Sequence, residues 1–235
     1  MNTLTIAKRE LAAFFASPIA YLVGAAFLFI TGLFFVFTIT IGNRATLLQV
    51  FNVISVLLLF IAPILTMRLL AEEARMGTLE LLMTAPVRDW EVILGKFLAA
   101  LIFFLVMLVP TLYYLFLLML YGNPDITVTL TGYLGVILFG AMLIGIGMLT
   151  SAVSINQIVA AILGIALCIT FWLAGGLAPT LEGPLGRLLE YISLQGHLRE
   201  FTLGLVRLSS IVYFLSGTAI ALFLAVRVLE IRRWR

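Results

Sequence analysis

Residues 126–155 read ITVTLTGYLGVILFGAMLIGIGMLTSAVSI, a stretch without a single Asp, Glu, Lys, Arg or His. A helix that crosses the roughly 30 Å hydrocarbon core of a bilayer needs about 20 predominantly apolar residues, so this stretch is long enough to span a membrane. Its apolar residues follow one another closely, whereas the strands of a membrane barrel alternate apolar and polar positions. The stretch therefore predicts a transmembrane helix.

Five other runs have the same character. They cover residues 19–41, 47–67, 97–121, 157–180 and 208–226, and none contains a charged residue or a histidine. Over the whole chain 63% of the residues are hydrophobic and 11% are charged, whereas a soluble domain has about 25% charged residues. Together the runs predict an all-α integral membrane protein with six transmembrane helices.

The basic residues predict the orientation of the chain in the membrane. Six spans place both termini on one side, and Lys and Arg near short loops are retained in the cytoplasm. With the termini inside, ten of the 14 basic residues are cytoplasmic and four, Arg44, Arg187, Arg199 and Arg207, are external. We therefore predict a multi-pass protein of the cell (inner or plasma) membrane with both termini cytoplasmic. The basic residues lie beside apolar runs and form no tract, so membrane lipid, and not nucleic acid, is the expected surroundings.

Residues 1–16 predict a helix that lies in the membrane interface. One helical face carries Leu4, Ala7, Leu11, Phe14 and Phe15, and the opposite face carries Thr5, Lys8 and Arg9. A cleaved signal peptide is the competing interpretation. The apolar run that follows is too long for an ordinary signal core and lacks an A-x-A cleavage site, which favours the interfacial helix.

Two connections are long enough to have structure of their own. Residues 68–96, on the predicted cytoplasmic side, hold nine of the 25 charged residues. Residues 181–207, on the predicted external side, combine glycine and proline with apolar residues, and this pattern predicts two short amphipathic helices at the outer leaflet. Function is to be sought in these two connections.

Within the first connection, residues 77–86 read GTLELLMTAP and predict a short helix. Thr78 can cap its N-terminus, Glu80 lies in its first turn and Pro86 follows its end. One apolar face is formed by Leu79, Leu82 and Met83. Such a face fits a groove on a partner protein, or it folds back onto the ends of the spanning helices; the residues alone leave both open.

The segment RLLAEEARMGTLELL at residues 68–82, with Pro86-Val87 and Gly95-Lys96 after it, resembles the region that follows the second helix of ABC-2 type permeases. The resemblance is closest to the branch of gliding-motility-associated and copper-processing (nitrous oxide reductase maturation) permeases. Further matches are SPIAY at residues 17–21, Asn156-Gln157, YFLS at 213–216, RVLE at 227–230 and RRW at 232–234. The similarity covers nearly the whole chain, as one transmembrane domain over residues 1–235.

The resemblance implies a role for each segment. Residues 1–16 would be an elbow helix, residues 68–96 a cytoplasmic coupling loop and residues 181–207 external re-entrant helices between the fifth and sixth spans. The surface that couples the chain to its ATPase would comprise Gly77, Thr78, Leu79, Glu80, Leu82, Met83 and Pro86. The implied function is the permease subunit of an ATP-driven ABC transporter, with export as the expected direction.

The resemblance also implies partners. A separate ABC ATPase subunit would bind the ATP and Mg²⁺, a second permease copy or a homologous permease would complete a dimer, and a periplasmic partner is an additional candidate. The substrate is left open among lipid, polysaccharide, peptide, metal-associated cargo and mechanical work on a periplasmic protein. The elbow helix and the coupling loop carry opposite charges, so we expect Lys8 or Arg9 to lie near Glu72 or Glu73, with Arg75 in the same group.

The residues predict no catalytic, cofactor or metal site in this chain. A phosphate-binding loop requires G-x-x-x-x-G-K-[ST], and the only Gly-Lys pair, Gly95-Lys96, is followed by Phe97 and has Trp90 at the first glycine position. Cys168 and His197 are the only residues of their types, so neither has a second soft ligand of its own kind for a metal. The chain is therefore not expected to be an enzyme.

Two other classes of function compete with transport driven by ATP. A carrier coupled to ions generally needs ionisable residues inside its spans, and the six runs have none. A membrane anchor or assembly factor could recruit a cytoplasmic partner through the same short helix without transporting anything. The glycines of the fourth run, Gly132, Gly135, Gly140, Gly145 and Gly147, indicate close helix packing or, less favoured, a pliable segment.

Overall fold

The computed structural model describes residues 3–40, 46–77, 88–177, 180 and 183–233. Regular structure in this part of the chain is entirely helical. The helices are α1 (Thr3–Ala16), α2 (Pro18–Thr40), α3 (Leu48–Arg75), α4 (Asp89–Leu108), α5 (Leu112–Tyr121), α6 (Ile126–Val153), α7 (Gln157–Leu177), α8 (Pro184–Ile192), α9 (Leu194–Thr202) and α10 (Leu208–Arg233), with a 3-10 turn Val109–Thr111 between α4 and α5.

Six helical segments of the described chain are long and apolar enough to cross a membrane. They are α2, α3, the continuous Asp89–Leu120 segment made by α4 and α5, α6, α7 and α10. The predicted all-α membrane fold with six spans is therefore confirmed. The two short helices predicted within residues 181–207 are present as α8 and α9.

The helix boundaries differ from the predicted runs at the first long connection. Helix α3 does not stop with its apolar run but continues to Arg75, because residues 68–75 are all Leu, Ala, Glu or Arg, which are strong helix formers. Helix α4 already begins at Asp89. Both flanks of the predicted loop at residues 68–96 are therefore helical.

The third span is interrupted near its middle. Pro110 lies in the 3-10 turn, where it supplies no backbone N–H to the helical ladder. The hydroxyl of Thr111 donates to the carbonyl of Leu108 at 2.7 Å within the same turn. The uncharged run at residues 97–121 is thus two helices that cross the membrane as one segment.

Helix α6 is the centre of the bundle. It packs against α3, α4, α7, α9 and α10. Within an apolar stretch of 18 residues of this helix, 72% of the residues are buried inside the chain. The corresponding value is 61% for α3 and for the third span, but 17% for α2 and 22% for both α7 and α10. The fold therefore has three inner spans and three outer spans.

Glycines on α6 let neighbouring side chains approach its backbone. A Cβ at Gly132 would meet the ring of Phe51, and one at Gly140 would lie 2.5 Å from the ring of Phe104. Gly147 faces the hydroxyl of Thr66 in the same way. These glycines serve close packing, the favoured interpretation of the sequence pattern.

The bundle has two chemically different ends. At one end, which we call the basic end, α1, the last turns of α3, the first turns of α4 and the C-terminal ends of α6 and α10 come together. The guanidinium of Arg232 donates to the carbonyl of Val153 at 2.7 Å, which joins α10 to α6 there. At the opposite end, Thr131 on α6 donates to the carbonyl of Phe201 on α9 at 3.1 Å. Both described chain ends therefore lie at the basic end.

Helix α1 buries only part of the expected apolar face, together with Ile6, which was not assigned to that face. Ile6, Ala7 and Phe14 are buried, whereas Leu4 and Phe15, both assigned to the apolar face, are exposed. The reason is that α1 packs along α4, where Gly95 admits the side chain of Ile6. Leu4 and Phe15 stay exposed within this chain, although the ring of Phe15 contacts that of Phe103 edge-on.

Replacing Gly135 with alanine should destabilise the fold. The new Cβ would collide with Cβ of Phe201, which is fixed to the α9 backbone and cannot rotate away, and would lie 2.8 Å from its Cγ. Overpacking of this kind costs about 1–3 kcal/mol, so we expect a lower melting temperature in detergent. The control is Gly24→Ala on α2, where the added Cβ meets no atom within 4 Å. Equal melting temperatures for the two variants would contradict this packing.

Candidate functional site

A buried lysine joins three helices at the basic end. Lys96 lies in the first turns of α4, and its side chain is only 1% exposed. Its Nζ donates to Oε1 of Glu73 on α3 at 2.7 Å and to Oε1 of Glu10 on α1 at 3.1 Å. Lysine is almost never fully buried unless it is paired, because burial strips water from its charge. The two carboxylates compensate for that loss and tie α1, α3 and α4 together.

Arg9 extends this group, which we call the Lys96 cluster (Arg9, Glu10, Glu73 and Lys96). Its Nη2 lies 2.9 Å from Oε1 of Glu10 and 3.9 Å from Oε1 of Glu73. Burial raises the pKa of Glu10, but the charge of Lys96 and the hydrogen bonds from Arg9 and Lys96 outweigh burial, so the pKa lies below its ordinary value of 4.5. The stabilisation from ionised Glu10 is thus fully present at neutral pH and is lost as the pH falls below 4.5 through the lowered folded-state pKa.

Arg68 fixes the junction between α1 and α2. Its Nη1 donates to Oγ of Ser17, the residue between the two helices, at 2.9 Å. Its guanidinium carbon also lies 4.9 Å from the centre of the Phe14 ring, a cation–π contact. Arg68 therefore holds the entry of the first span against α3.

Ser151 joins α6 to the same end of α3. Its hydroxyl donates to the carbonyl of Met67 at 3.0 Å and accepts from the backbone N–H groups of Leu70 and Ala71 at 3.1 and 3.2 Å. Ser151 is buried and lies in the last turn of α6. Asn156 caps α7 by accepting from the N–H of Ile158 at 2.9 Å.

A cleft of about 230 Å³ lies beside the Lys96 cluster. It separates α1 from the last turns of α3, and its walls combine charged and apolar side chains. The lining residues are Glu10, Ala13, Phe14, Arg68, Leu69, Glu72, Glu73, Met76 and Lys96. The cleft is open space next to the point where α3 ends.

The predicted coupling segment is bordered on both sides by this site. Gly77 has a φ of +70°, a left-handed conformation that favours glycine and ends α3. On the other side, Glu91 accepts from the backbone N–H of Arg88 at 3.0 Å and so caps α4. The remaining predicted coupling residues, Thr78, Leu79, Glu80, Leu82, Met83 and Pro86, lie outside the described residues.

The predicted charge contacts are realised in part. Arg9 and Glu73 lie within 3.9 Å of each other, as one of the expected pairs. Lys8, Glu72 and Arg75 form no ion pair with any other residue that the structure describes, although Glu72 lines the cleft. The sequence did not point to Glu10 or Lys96, which form the closest contacts of the group.

His197, at the opposite end, lies within a packed network. Its Nδ1 is 2.9 Å from the hydroxyl of Ser210, and its ring stacks on Tyr213 with a centroid distance of 4.1 Å. Within the described ranges, no group of three or more His, Cys, Asp or Glu side chains could hold a metal ion. These contacts give His197 a structural role in joining α9 to α10.

Comparison with protein families identifies the chain. The family model described as "ABC-2 family transporter protein" matches residues 10–229. The match begins inside α1 and ends inside α10, so it includes Glu10, Glu73 and Lys96 and at least part of each of the six spans. This chain belongs to the ABC-2 transporter family. A search of curated proteins gives no match.

Membership of the ABC-2 family makes the chain a membrane-spanning permease component of an ABC transporter. Such permeases generally pair with an ABC ATPase subunit, and the family's membrane subunit itself lacks ATPase motifs. The match is to the family as a whole and does not extend to the gliding-motility or copper-processing branch.

The sequence carried only a weak signal for the Lys96 cluster. Glu10 is the one acidic residue of α1, and Lys96 is the last charge before the third apolar run. An isolated charge at the edge of a run is usually solvated, so its burial could not be inferred. The two residues are 86 positions apart, and only the packing of α1 on α4 brings them together.

Replacing Lys96 with methionine should destabilise this ABC-2 permease strongly. The substitution roughly keeps the length of the side chain but removes the cation that Glu10 and Glu73 share. Removing one partner of a buried ion pair costs about 3–5 kcal/mol, which should lower the melting temperature in detergent.

Charge and volume are separated by a rescue experiment. Adding Glu10→Gln and Glu73→Gln to Lys96→Met removes the two carboxylates that have lost Lys96, so the triple variant should recover part of the lost stability. Two results would show that the ion pairs do not stabilise this junction. One is a melting temperature of Lys96→Met equal to that of the parent, and the other is a triple variant that melts no higher than Lys96→Met.

Proposed function

We propose that this permease is the membrane subunit of an ATP-driven exporter and that residues 77–86 transmit the movement of a separate ATPase to its spans. One observation carries the proposal: the Lys96 cluster ties α3 and α4, which border that segment on either side, to each other and to α1. A force on the segment would act on helices that are already linked.

The inner position of these helices gives the movement a route through the molecule. Helix α3 packs extensively on α6, and both α3 and the third span are largely buried. The hydroxyl of Ser151 adds a polar link between α3 and α6 at the basic end. A displacement of α3 would therefore reach the central helix, whereas a displacement of an outer helix would meet mainly the surrounding lipid.

The chain itself contributes binding and movement to this mechanism, and no covalent chemistry. The ATPase subunit would supply the binding of ATP and Mg²⁺ and its hydrolysis. Closure of two ATPase subunits would press on residues 77–86, and α2, α3 and α7 would rearrange around the substrate path. Gly77, with its left-handed backbone, is a suitable point for the segment to leave the end of α3.

The outer spans support pairing with a second permease, either a copy of this chain or a relative. Helices α2 and α7 leave most of their apolar surface uncovered within one chain. Both lie next to α3, so a partner at this face would place the substrate path between the two subunits.

The basic end is proposed to face the cytoplasm. In the described part of the chain, eight basic side chains lie on the helices that meet at this end. They are Lys8, Arg9, Arg68, Arg75, Arg88, Lys96, Arg227 and Arg232. The described basic residues of the other end are Arg187, Arg199 and Arg207. Retention of Lys and Arg in the cytoplasm favours this orientation.

Single cysteines should report that orientation. In a Cys168→Ala background, Met76→Cys is placed at the exposed end of α3, and Thr127→Cys is placed at the start of α6. With intact cells and an impermeant thiol reagent, we expect labelling at position 127 and protection at position 76. The reverse pattern would overturn the proposed topology.

Replacing both Leu79 and Met83 with aspartate should abolish co-purification of the ATPase and transport. Burial of one Leu or Met side chain contributes about 1.5–3 kcal/mol. Loss of two fully buried side chains would therefore weaken binding by roughly two to four orders of magnitude. The segment lies outside the spans, so membrane insertion should be unaffected.

The matched control is Leu79→Met with Met83→Leu, which keeps the apolar surface and should preserve ATPase binding. A stable aspartate variant that still binds the ATPase at parental strength would exclude this face as the docking surface. A degraded variant would favour the alternative in which the face packs on its own bundle. ATPase binding without substrate-stimulated hydrolysis would favour the anchor or assembly factor.

A further inference from the structure

A second cleft, of about 280 Å³, opens at the end of the bundle opposite the basic end. It lies between the first turn of α3, the last turns of α7 and helix α9. The residues that line it are Leu48, Asn52, Trp172, Gln195, Leu198, Arg199, Thr202 and Leu203. We call it the α9 cleft.

The polar side chains of the α9 cleft favour an anion. Arg199 carries a positive charge, Asn52 and Gln195 carry amide N–H groups, and Trp172 carries an indole N–H. No carboxylate is among the lining residues. The first turn of α3 adds the positive end of a helix dipole at Leu48.

Arg199 has no acidic partner of its own in the described part of the chain. The adjacent carboxylate, Glu200, is engaged elsewhere: it accepts from Arg207 at 2.6 Å and from the hydroxyl of Ser210 at 2.6 Å. None of the side chains of Asn52, Gln195 and Trp172 forms a hydrogen bond with another described residue. The cleft thus combines a cation and several available donors.

The apolar side chains of the cleft favour a ligand with a hydrocarbon part. Leu48, Leu198 and Leu203 line it beside the donors. Outside the cleft, α7 has the exposed apolar side chains of Leu167 and Leu173. Leu48 begins one span and Trp172 lies near the end of another, so the donors lie at headgroup depth, where Trp is enriched.

We propose that the α9 cleft binds an anionic phospholipid, with its phosphate at Arg199 and an acyl chain along α7. The site requires only the membrane fold, so it does not depend on the proposed transport function. Two other sources of the same chemistry, a soluble phosphate and general attraction of anionic lipid to a basic surface, are separated by the test.

Fluorescence of Trp172 tests the site directly. The substitutions Trp90→Phe and Trp234→Phe leave Trp172 as the only tryptophan of the chain. This variant is placed in two sets of phosphatidylcholine nanodiscs. One set contains brominated phosphatidylglycerol, and the other contains brominated phosphatidylcholine. Bromine on the acyl chains quenches the fluorescence of a nearby tryptophan. We expect stronger quenching by the brominated phosphatidylglycerol at equal mole fraction.

Arg199→Gln should reduce the preference for phosphatidylglycerol about fivefold, the effect of losing one arginine near an anionic surface. The matched control is Arg187→Gln, an exposed arginine on α8 that does not line the cleft. This control should keep the parental preference. Asn52→Leu, which alters the cleft from α3, provides a second variant if Arg199→Gln does not give a monodisperse protein.

Three results would overturn the proposal. The first is an unchanged preference in a folded Arg199→Gln or Asn52→Leu variant. The second is an equal loss in Arg187→Gln, which would indicate attraction to the whole surface. The third is that inorganic phosphate shifts the Trp172 emission of the single-tryptophan protein while that protein shows no preference for phosphatidylglycerol. This result would indicate a site for a soluble anion. Arg199→Gln should leave ATPase co-purification unchanged. Failure of the lipid proposal can therefore be distinguished from failure of the coupling proposal.

Discussion

A bilayer provides no water to the backbone, and this constraint shapes the whole molecule. Every peptide group within the hydrocarbon must find its partner inside the chain, so the spans are helices. Their few polar side chains follow the same rule, because hydroxyls bond back to the preceding turn. Thr31 donates to the carbonyl of Phe27 at 2.8 Å, and Ser55 donates to that of Phe51 at 2.6 Å.

With backbone hydrogen bonds satisfied inside each helix, close packing is what distinguishes one arrangement of spans from another. Lipid tails are as apolar as leucine, so an apolar face gains little by leaving lipid, and contacts between well-fitted surfaces decide which helices meet. Helix α6 provides such a surface, since its glycines admit Phe51, Phe104 and Phe201 to its backbone. Charged residues are confined to the ends because a charge inside hydrocarbon is costly. Lys96 can be buried there because Glu10 and Glu73 reach it.

The two ends of the bundle therefore differ in what they can do. At the basic end, ion pairs connect α1 to the helices that border residues 77–86, which suits the transmission of movement from a partner. At the opposite end, the α9 cleft has donors and a cation without a carboxylate, which suits the binding of an anionic lipid. Helix α3 takes part in both, because Glu73 is near one of its ends and Asn52 is near the other.

The sequence by itself determined the class of fold, the number of spans and the segregation of charge. Each of these depends on local composition: an uncharged run of membrane length can only be a helix in lipid. It did not determine where the helices end, because residues 68–75 continue α3 by helix propensity after the apolar run has stopped. Nor did it determine which face of α1 is buried, which span is central or which charges meet. Those features depend on contacts between distant residues, such as Ile6 with Gly95 and Glu10 with Lys96. Only the tertiary structure decides them, because a helical pattern specifies which residues share a face but not which helix that face will contact.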